Sequence, residues 1–437
     1  MTMGILVGLL PGLPAMVGLF ILLPLFYNWP PEAILLFFSC FICVTQYFGS
    51  VSALLFKVPG EGSSIPVLDI SLRLKNFNSI VKVYRTTAFT SFVASLLGIL
   101  IFVLLFLVFK NNWTQLMSTK VIVFFLSALI ILLILQDQKY IFNIFLLIAG
   151  LALAHFSEIP YLNNVCDALD WLCFLRSPAE ATLVLLGIFC IPILFYETQQ
   201  LVPKISDSKK NVSVGWRNVF PFWKKGLQHG LLGFLAGFTP GAGLTLASNL
   251  SNSYEKKKNS KKILTVAAAA EASNNSAAIS STVPFLFIGL PITASEIVID
   301  NFLSSKFYRL NLSALNTNVD FFGYDVNFIP ILIFCMLVIN CVCFVSCSFF
   351  IGFWSRLMAI DSRIYLAAVK ILILLSIPLI IMTSKISIVS AFFTLLVFGS
   401  IGTWAMKTNQ NIIGFTLMMM MGPFILNKFI MFYQLYF

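Results

Sequence analysis

The sequence predicts an all-α polytopic membrane protein with about 10–12 transmembrane helices, built as two inverted repeats that contain Pro-Gly helix breaks or re-entrant hairpins. Three observations predict it. Hydrophobic residues make up 59% of the 437 and charged residues 10%, with a mean hydropathy of +0.95; soluble domains carry about 25% charged residues. Long apolar runs recur, as in Ala94–Phe109, Val121–Leu135 and Phe142–Ala154, and such runs mark membrane segments. The same break occurs twice in apolar sequence, as Gly8-Leu9-Leu10-Pro11-Gly12-Leu13-Pro14 and Gly237-Phe238-Thr239-Pro240-Gly241-Ala242-Gly243. About fifty residues after each comes a second Pro, Pro59 and Pro291. Pro removes a backbone donor and clashes with the preceding turn, while Gly frees the backbone. In a bilayer core the exposed N–H and C=O groups need partners from protein, water, ion or ligand.

The chain divides into a first repeat (1–200), a basic cytoplasmic linker (201–225) and a second repeat (226–437). The net charge of +11 sits in short loops between apolar runs. That is the pattern of cytoplasmic loops, not of a nucleic-acid surface. The nine Cys and two His form no metal-ligand spacing: Cys40 and Cys43 stand at CxxC spacing inside an apolar helix with no second pair, the setting of buried small residues.

Loop charges give the topology. Lys57–Arg85 is net basic and is placed in the cytoplasm. Spans at about Thr87–Phe109, Val121–Leu135, Tyr140–Phe156 and Ala181–Tyr196 then alternate. They put the acidic connection with Glu158, Asp167, Asp170 and Glu180 outside, and the linker with Lys204, Lys209, Lys210, Arg217, Lys224 and Lys225 inside. The segment Gly226–Tyr254 carries the second break between two basic flanks. Two readings stay open: a re-entrant hairpin with its tip at Pro240-Gly241, or a single broken span. Half-helices of about 13 residues reach roughly 20 Å, enough to approach the midplane. The first break leads outward to Tyr27, Trp29 and Pro30, an aromatic-Pro corner that suits an interface, so the two repeats are opposed in the membrane.

Chemistry-bearing residues cluster after each break. In Ile263–Asp300 come Glu271, Asn274, Asn275, Ser276, Ser280, Ser281, Thr282 and Pro284, then Gly289-Leu290-Pro291. Small and hydroxyl residues serve helix packing, but an intramembrane carboxylate is costly and marks a functional site. Glu271 is the candidate for cation coupling; a Na⁺ near Asn274 and Asn275, or a proton on Glu271 alone, fits these groups. Its plainer alternative is a residue near the interface. The first-half counterpart is Gln46–Ser52 with Gly49, Ser50 and Ser52, followed by Pro59-Gly60-Glu61-Gly62-Ser63-Ser64. Helix N-termini at such breaks favour anions without an arginine, although Pro-Gly and Gly-Ser are also plain turn signals. The candidate substrate-lining set is Pro11, Gly12, Gly49, Ser50, Ser52, Pro59, Gly60, Pro240, Gly241, Gly243, Asn274, Asn275, Ser276 and Pro291. No GxSxG, HExxH or GxxxxGK[ST] motif occurs, so neither an enzyme nor an ATP-driven pump has support, and no cofactor is expected.

The segments Gly8–Pro14, Phe48–Glu61, Gly237–Gly243 with Tyr254-Glu255-Lys256, Glu271–Asn275 and Pro284–Pro291 resemble, in order and spacing, the large membrane subunit of the tripartite tricarboxylate transporters. The resemblance implies a secondary transporter subunit of the bacterial inner membrane for citrate-like di- or tricarboxylates, driven by a Na⁺ or H⁺ gradient. It also implies two partners, a small membrane subunit and a periplasmic substrate-binding protein. The chain departs from the family pattern at Phe48, where a second glycine is usual, at Ala270, where Pro precedes the Glu, and at Ile292, where Gly follows the second Pro. The chain also begins almost at its first break. Two other readings stay open: a passive channel or exporter of small anions without a binding protein, or a diverged member with another substrate.

Overall fold

The computed structural model describes residues 1–9, 15–56, 62–74, 77–110, 118–135, 139–156, 181–195, 216–241, 243–259, 262–305, 318–321, 324–351, 353–354, 362–384, 387–408, 410 and 412–436. The first repeat runs α1 (Thr2–Leu9), α2 (Ala15–Leu22), α3 (Pro31–Val51), α4 (Ile65–Arg73), α5 (Phe77–Phe109), α6 (Thr119–Leu135), α7 (Tyr140–Phe156), α8 (Ala181–Phe189) and α9 (Ile191–Leu194). The second runs α10 (Trp223–Ala236), α11 (Gly243–Asn259), α12 (Ile263–Ile288), α13 (Ala294–Ser305), α14 (Phe328–Phe349), α15 (Ser362–Ser384), α16 (Ile388–Thr408) and α17 (Ile413–Tyr436). A small antiparallel pair, β1 (Asn318–Phe321) and β2 (Tyr324–Asn327), precedes α14. Among the described residues five helices are long and apolar enough to cross a membrane, and shorter apolar helices cover 15–26, 119–135, 140–155 and 370–382. The protein is a polytopic membrane protein, helical apart from that short strand pair among the described residues.

Two boundaries differ from the sequence reading. The basic stretch 57–85 was expected as a loop, but it holds α4 and the first turns of α5. Val67 and Ile70 of α4, and Ile80, Val81 and Tyr84 of α5, alternate with charged neighbours at helical spacing and are buried, so tertiary packing overrides the loop charge. The expected span Ala181–Tyr196 is interrupted at Cys190, between α8 and α9, where Pro192 cannot continue the ladder. The assignment of 201–225 as linker falls for the most part outside the described residues; its end forms the start of α10.

The second break is a hairpin. Lys225 and His229, near the start of α10, both reach Glu255 near the end of α11, the histidine Nε2 lying 2.9 Å from Oε1. One continuous helix would hold residues 30 apart in sequence about 45 Å apart. The turn is made by Gly241 at φ +73°, a conformation that only glycine adopts at no steric cost. The first break folds back in the same way. Gly18 of α2 packs on Val7 of α1, so the helices flank residues 10–14 as two arms; Pro11 and Gly12 themselves lie outside the described residues.

The opposed arrangement follows from residue pairs. Gly4 and Gly8 of α1 meet Val44 and Phe48 of α3, so α1 and α3 run parallel; Gly233 and Gly237 of α10 meet Ser273 and Ala277 of α12 in the same sense. Across the halves, Phe38 packs on Phe285 with ring centroids 5.9 Å apart while Ser50 bonds Glu271. Helices α3 and α12 therefore run antiparallel, as equivalent helices of inverted repeats must. Helix α12 is buried on all sides, packed against α5, α10, α11 and α3. Its run of Ala, Ser and Asn lets neighbouring backbones approach closely.

Candidate functional site

Five helices begin around one cavity of about 270 Å³ between the halves, the fifth being α17 at Ile413. Helix α2 contributes Met16; Gly62 and Ser63 lead into α4; Gly243, Leu244 and Thr245 open α11; and Thr293–Glu296 open α13. Helices α3 and α12 supply Ile42, Gln46 and Ser281, and Gly241 and Ile413 complete the wall. No Lys or Arg stands among these residues. Unpaired N–H groups and the aligned peptide dipoles make each helix start partly positive, so a cavity at several starts is suited to an anion. The Ser63 hydroxyl is buried and has no hydrogen-bond partner. A larger cavity of about 410 Å³ between α7 and α17 holds His155 and Asn427, but no residue of either break lines it.

The breaks are tied to each other as well as to the cavity. The Gly241 N–H donates to the Ile292 carbonyl at 2.7 Å, joining the hairpin tip to the unwound segment at Pro291. Before it, α12 ends on Gly289 at φ +67°, with its N–H returned to Phe285 O at 3.0 Å and that of Leu290 to Pro284 O at 3.2 Å. This left-handed glycine cap satisfies the last carbonyls of the helix. After Pro291 the chain restarts with a capping box. The Thr293 hydroxyl accepts from Glu296 N at 3.3 Å, and Glu296 Oε2 accepts from Thr293 N at 3.0 Å and from Ile292 N at 2.7 Å. Glu296 is 1% exposed and was not singled out in the sequence. Its signal was the Thr-x-x-Glu spacing directly after the second Pro.

A second polar site lies in the core. Glu271 is fully buried, and its Oε2 accepts from the Ser50 hydroxyl across the halves. Its Oε1 and the Asn274 Oδ1 are buried without a hydrogen-bond partner. A Cβ added at Gly49 meets no described atom within 4 Å, so there is room beside Ser50. Two unpaired oxygens, one of them a carboxylate's, are the donors a hard cation takes. Among the described residues no group of three His, Cys, Asp or Glu gathers as for a transition metal.

The predicted site residues therefore separate. Gly241 and Gly243 line the cavity, and Pro291 sits in the buried break beside it. Ser50, Glu271 and Asn274 form the core site, with Gly49 adjoining and Ser52 buried in the last turns of the α3 span. Asn275 and Ser276 turn to α5: the Asn275 amide donates to Ser91 Oγ at 2.9 Å and to Glu271 O at 3.0 Å, while Ser276 packs on Gly98. Pro11, Gly12, Pro59 and Gly60 lie outside the described residues.

Broken helices in two opposed repeats, with helix starts converging between them, define a membrane transporter of the inverted-repeat class. Over residues 1–417 the chain matches the tripartite tricarboxylate transporter TctA family, and it belongs to that family. It is also 22% identical over 264 residues to an Agrobacterium vitis protein described as an uncharacterized 52.8 kDa protein in the TAR-I ttuC' 3' region. That match covers 58% of this chain and 51% of the relative, so the chain spans about half the length of the curated relative. No solved structure matches.

Proposed function

We propose that the chain is the permease subunit of a binding-protein-dependent secondary transporter of the bacterial inner membrane. It takes up carboxylates, with citrate-like di- and tricarboxylates as the class its family suggests. A small membrane subunit and a periplasmic substrate-binding protein complete the system. The observation that carries this reading is the cavity at which α2, α4, α11, α13 and α17 begin, with no basic side chain among the described residues of its wall. An anion held by backbone N–H groups is bound without a buried ammonium or guanidinium, so the empty carrier avoids an unpaired charge. The Glu271–Asn274 site supplies the coupling. Cation entry neutralises a carboxylate that spans the two halves through Ser50, and Na⁺ and H⁺ both suit those oxygens.

The test is uptake of labelled citrate and smaller acids in cells supplied with all three components. Glu271→Gln is expected to abolish the dependence of uptake on the cation gradient and to lower accumulation at least tenfold. Asn274→Ala should weaken the cation dependence more than Asn275→Ala, whose side chain faces Ser91. Uptake that persists in the wild type after the gradient is collapsed and without the binding protein would favour a channel or exporter.

A further inference from the structure

Helix α11 turns a polar face inward. Ser248, Ser251, Asn252 and Glu255 recur at helical spacing and are all buried, while Leu246, Leu250 and Tyr254 are exposed on the other side. The buried side meets the first half of the chain as well as its own hairpin arm. Thr245 Oγ1 would lie 3.1 Å from a Cβ at Gly62, Lys256 reaches Asp69 of α4 at 3.0 Å, and Glu255 holds Lys225 and His229 of α10. Serines that serve helix packing bond across to a neighbour, as Ser273 Oγ does to the Ala247 carbonyl at 3.0 Å. The Ser248 and Ser251 hydroxyls and Asn252 Oδ1 make no hydrogen bond, and neither does His229 Nδ1 beyond them. Buried polar groups left without partners are costly, and inside a membrane protein such groups mark the path of a substrate or ion.

The two ends of this face differ. Thr245 lines the cavity at the α11 start, and Glu255 lies about 15 Å further along the helix. There Lys225 and His229 both take Glu255 Oε1, tying α10 to α11. Lys224, Lys256, Lys257 and Lys258 flank this end in sequence, and basic flanks mark the cytoplasmic side. We propose that the polar face of α11 lines the route by which substrate leaves the cavity for the cytoplasm, and that Lys225, Glu255 and His229 are its gate. The proposal rests on the carboxylate reading of the cavity. With the cluster formed, the two hairpin arms are held together and the route is closed. A substrate carboxylate that reaches Lys225 takes the place of Glu255 beside the ammonium, so the ammonium exchanges one partner for another and is not left unpaired. His229, whose Nε2 lies 2.9 Å from Glu255 Oε1, keeps a partner on that carboxylate meanwhile.

Thiol labelling in cells supplied with all three components tests this, with N-ethylmaleimide as the probe and mass spectrometry reading the modification at the substituted position. The acid used is whichever of citrate and succinate the wild type takes up. Ser248→Cys and Ser251→Cys are expected to label at least threefold faster during uptake than without the acid. Leu250→Cys, on the exposed side, should label at the same rate in both conditions. Glu255→Gln and Lys225→Met each break the ion pair, and each should speed labelling of Ser251→Cys at least fivefold without the acid; the pair of variants keeps the gate testable if one does not fold. Labelling of Ser248→Cys and Ser251→Cys that ignores the acid, or a response that is equal at Leu250→Cys, overturns the route. Labelling that follows the acid but ignores both gate variants overturns the gate. In either case uptake by the wild type leaves the carboxylate reading standing. A wild type that takes up neither acid overturns that reading and the route with it.

Discussion

Gly8 of the first hairpin and Gly237 of the second each stand three residues before the hairpin Pro, yet they are seated differently. A Cβ at Gly8 would lie 2.7 Å from Phe48 Cβ and 3.0 Å from Thr45 O, on a helix of large apolar residues. At Gly237 it would collide with Ser280 Oγ and lie 2.6 Å from Ala277 O. One turn earlier, a Cβ at Gly233 would fall on the Ser273 backbone. The second hairpin is thus docked more closely on the α12 backbone, which an added Cβ at Gly233 would overlap, than the first is on the α3 backbone, which lies 3.0 Å from an added Cβ at Gly8. The polar groups follow the same division. At equal distance from the hairpin Pro, Glu271 and Asn275 of α12 correspond to Ile42 and Gln46 of α3. Five residues after the second Pro, Glu296 corresponds to Ser64. The fold is repeated; the three buried carboxylates described above, Glu255, Glu271 and Glu296, belong to the second half. The halves share a scaffold, and the tightly docked one holds the charges.

The largest expected effect breaks this docking. Gly237→Val forces α10 off α12, and overpacking against backbone with no flexible end to yield should cost on the order of 3 kcal/mol or more. Gly18→Ala in the first hairpin meets only the Val7 side chain, which can shift, and should cost about 1 kcal/mol. Thermal unfolding of the two variants in detergent measures the gap, and equal losses would remove the distinction between the seats. Gly49→Ala sharpens it from the other side: its Cβ finds no described neighbour within 4 Å, so stability should change by less than about 0.5 kcal/mol. Transport is expected to fall because the methyl group fills the room beside Ser50 and Glu271.

Much of this was legible in the residues. Pro240 and Gly241 between basic flanks left a hairpin or a single broken span open, and the Lys225–Glu255 and His229–Glu255 contacts show the hairpin. The opposed repeats followed from loop charge and appear as antiparallel α3 and α12. What the pattern could not show was direction around a helix buried on every side. Asn274 and Asn275 are adjacent in sequence, about 100° apart on the helix, and only packing decides that one faces Glu271 and the other Ser91. Glu296 was missed because a Thr-x-x-Glu box reads as an ordinary helix start. Its significance comes from the other four starts that meet it, and those are set by tertiary structure. The stretch 57–85 was read from its charges alone, so the helix within it went unseen, although apolar residues at helical spacing bury one face of α4.

The capping box distinguishes the halves at a middling level. Thr293 caps α13 through its hydroxyl, whereas the α4 start has no side-chain capping bond at Ser64. Thr293→Ala should lower stability by about 1 kcal/mol, the usual cost of an N-cap. It should also loosen the Glu296 backbone, read as faster amide exchange over the first turn of α13. Exchange unchanged there would mean that the Glu296 carboxylate alone fixes the turn.

The smallest effect joins the halves at their surface. Lys256 of α11 reaches Asp69 of α4 at 3.0 Å, and Arg73 reaches the same carboxylate at 2.9 Å. Partial burial pushes the Asp69 carboxyl up, but Lys256 and Arg73 together outweigh it and hold it below the usual carboxylate range. A carboxyl whose folded pKa is depressed contributes stability that is present above its unfolded value and lost as pH falls through its folded one. Asp69 is 41% exposed, and solvent and salt screen such a pair, so Asp69→Asn should cost less than about 1 kcal/mol at neutral pH. The difference between wild type and Asp69→Asn should shrink in high salt and vanish in acid below the usual carboxylate range. A gap that survives both would mean that α4 and α11 are held together there by packing, and that the ion pair does not contribute to the junction between the repeats.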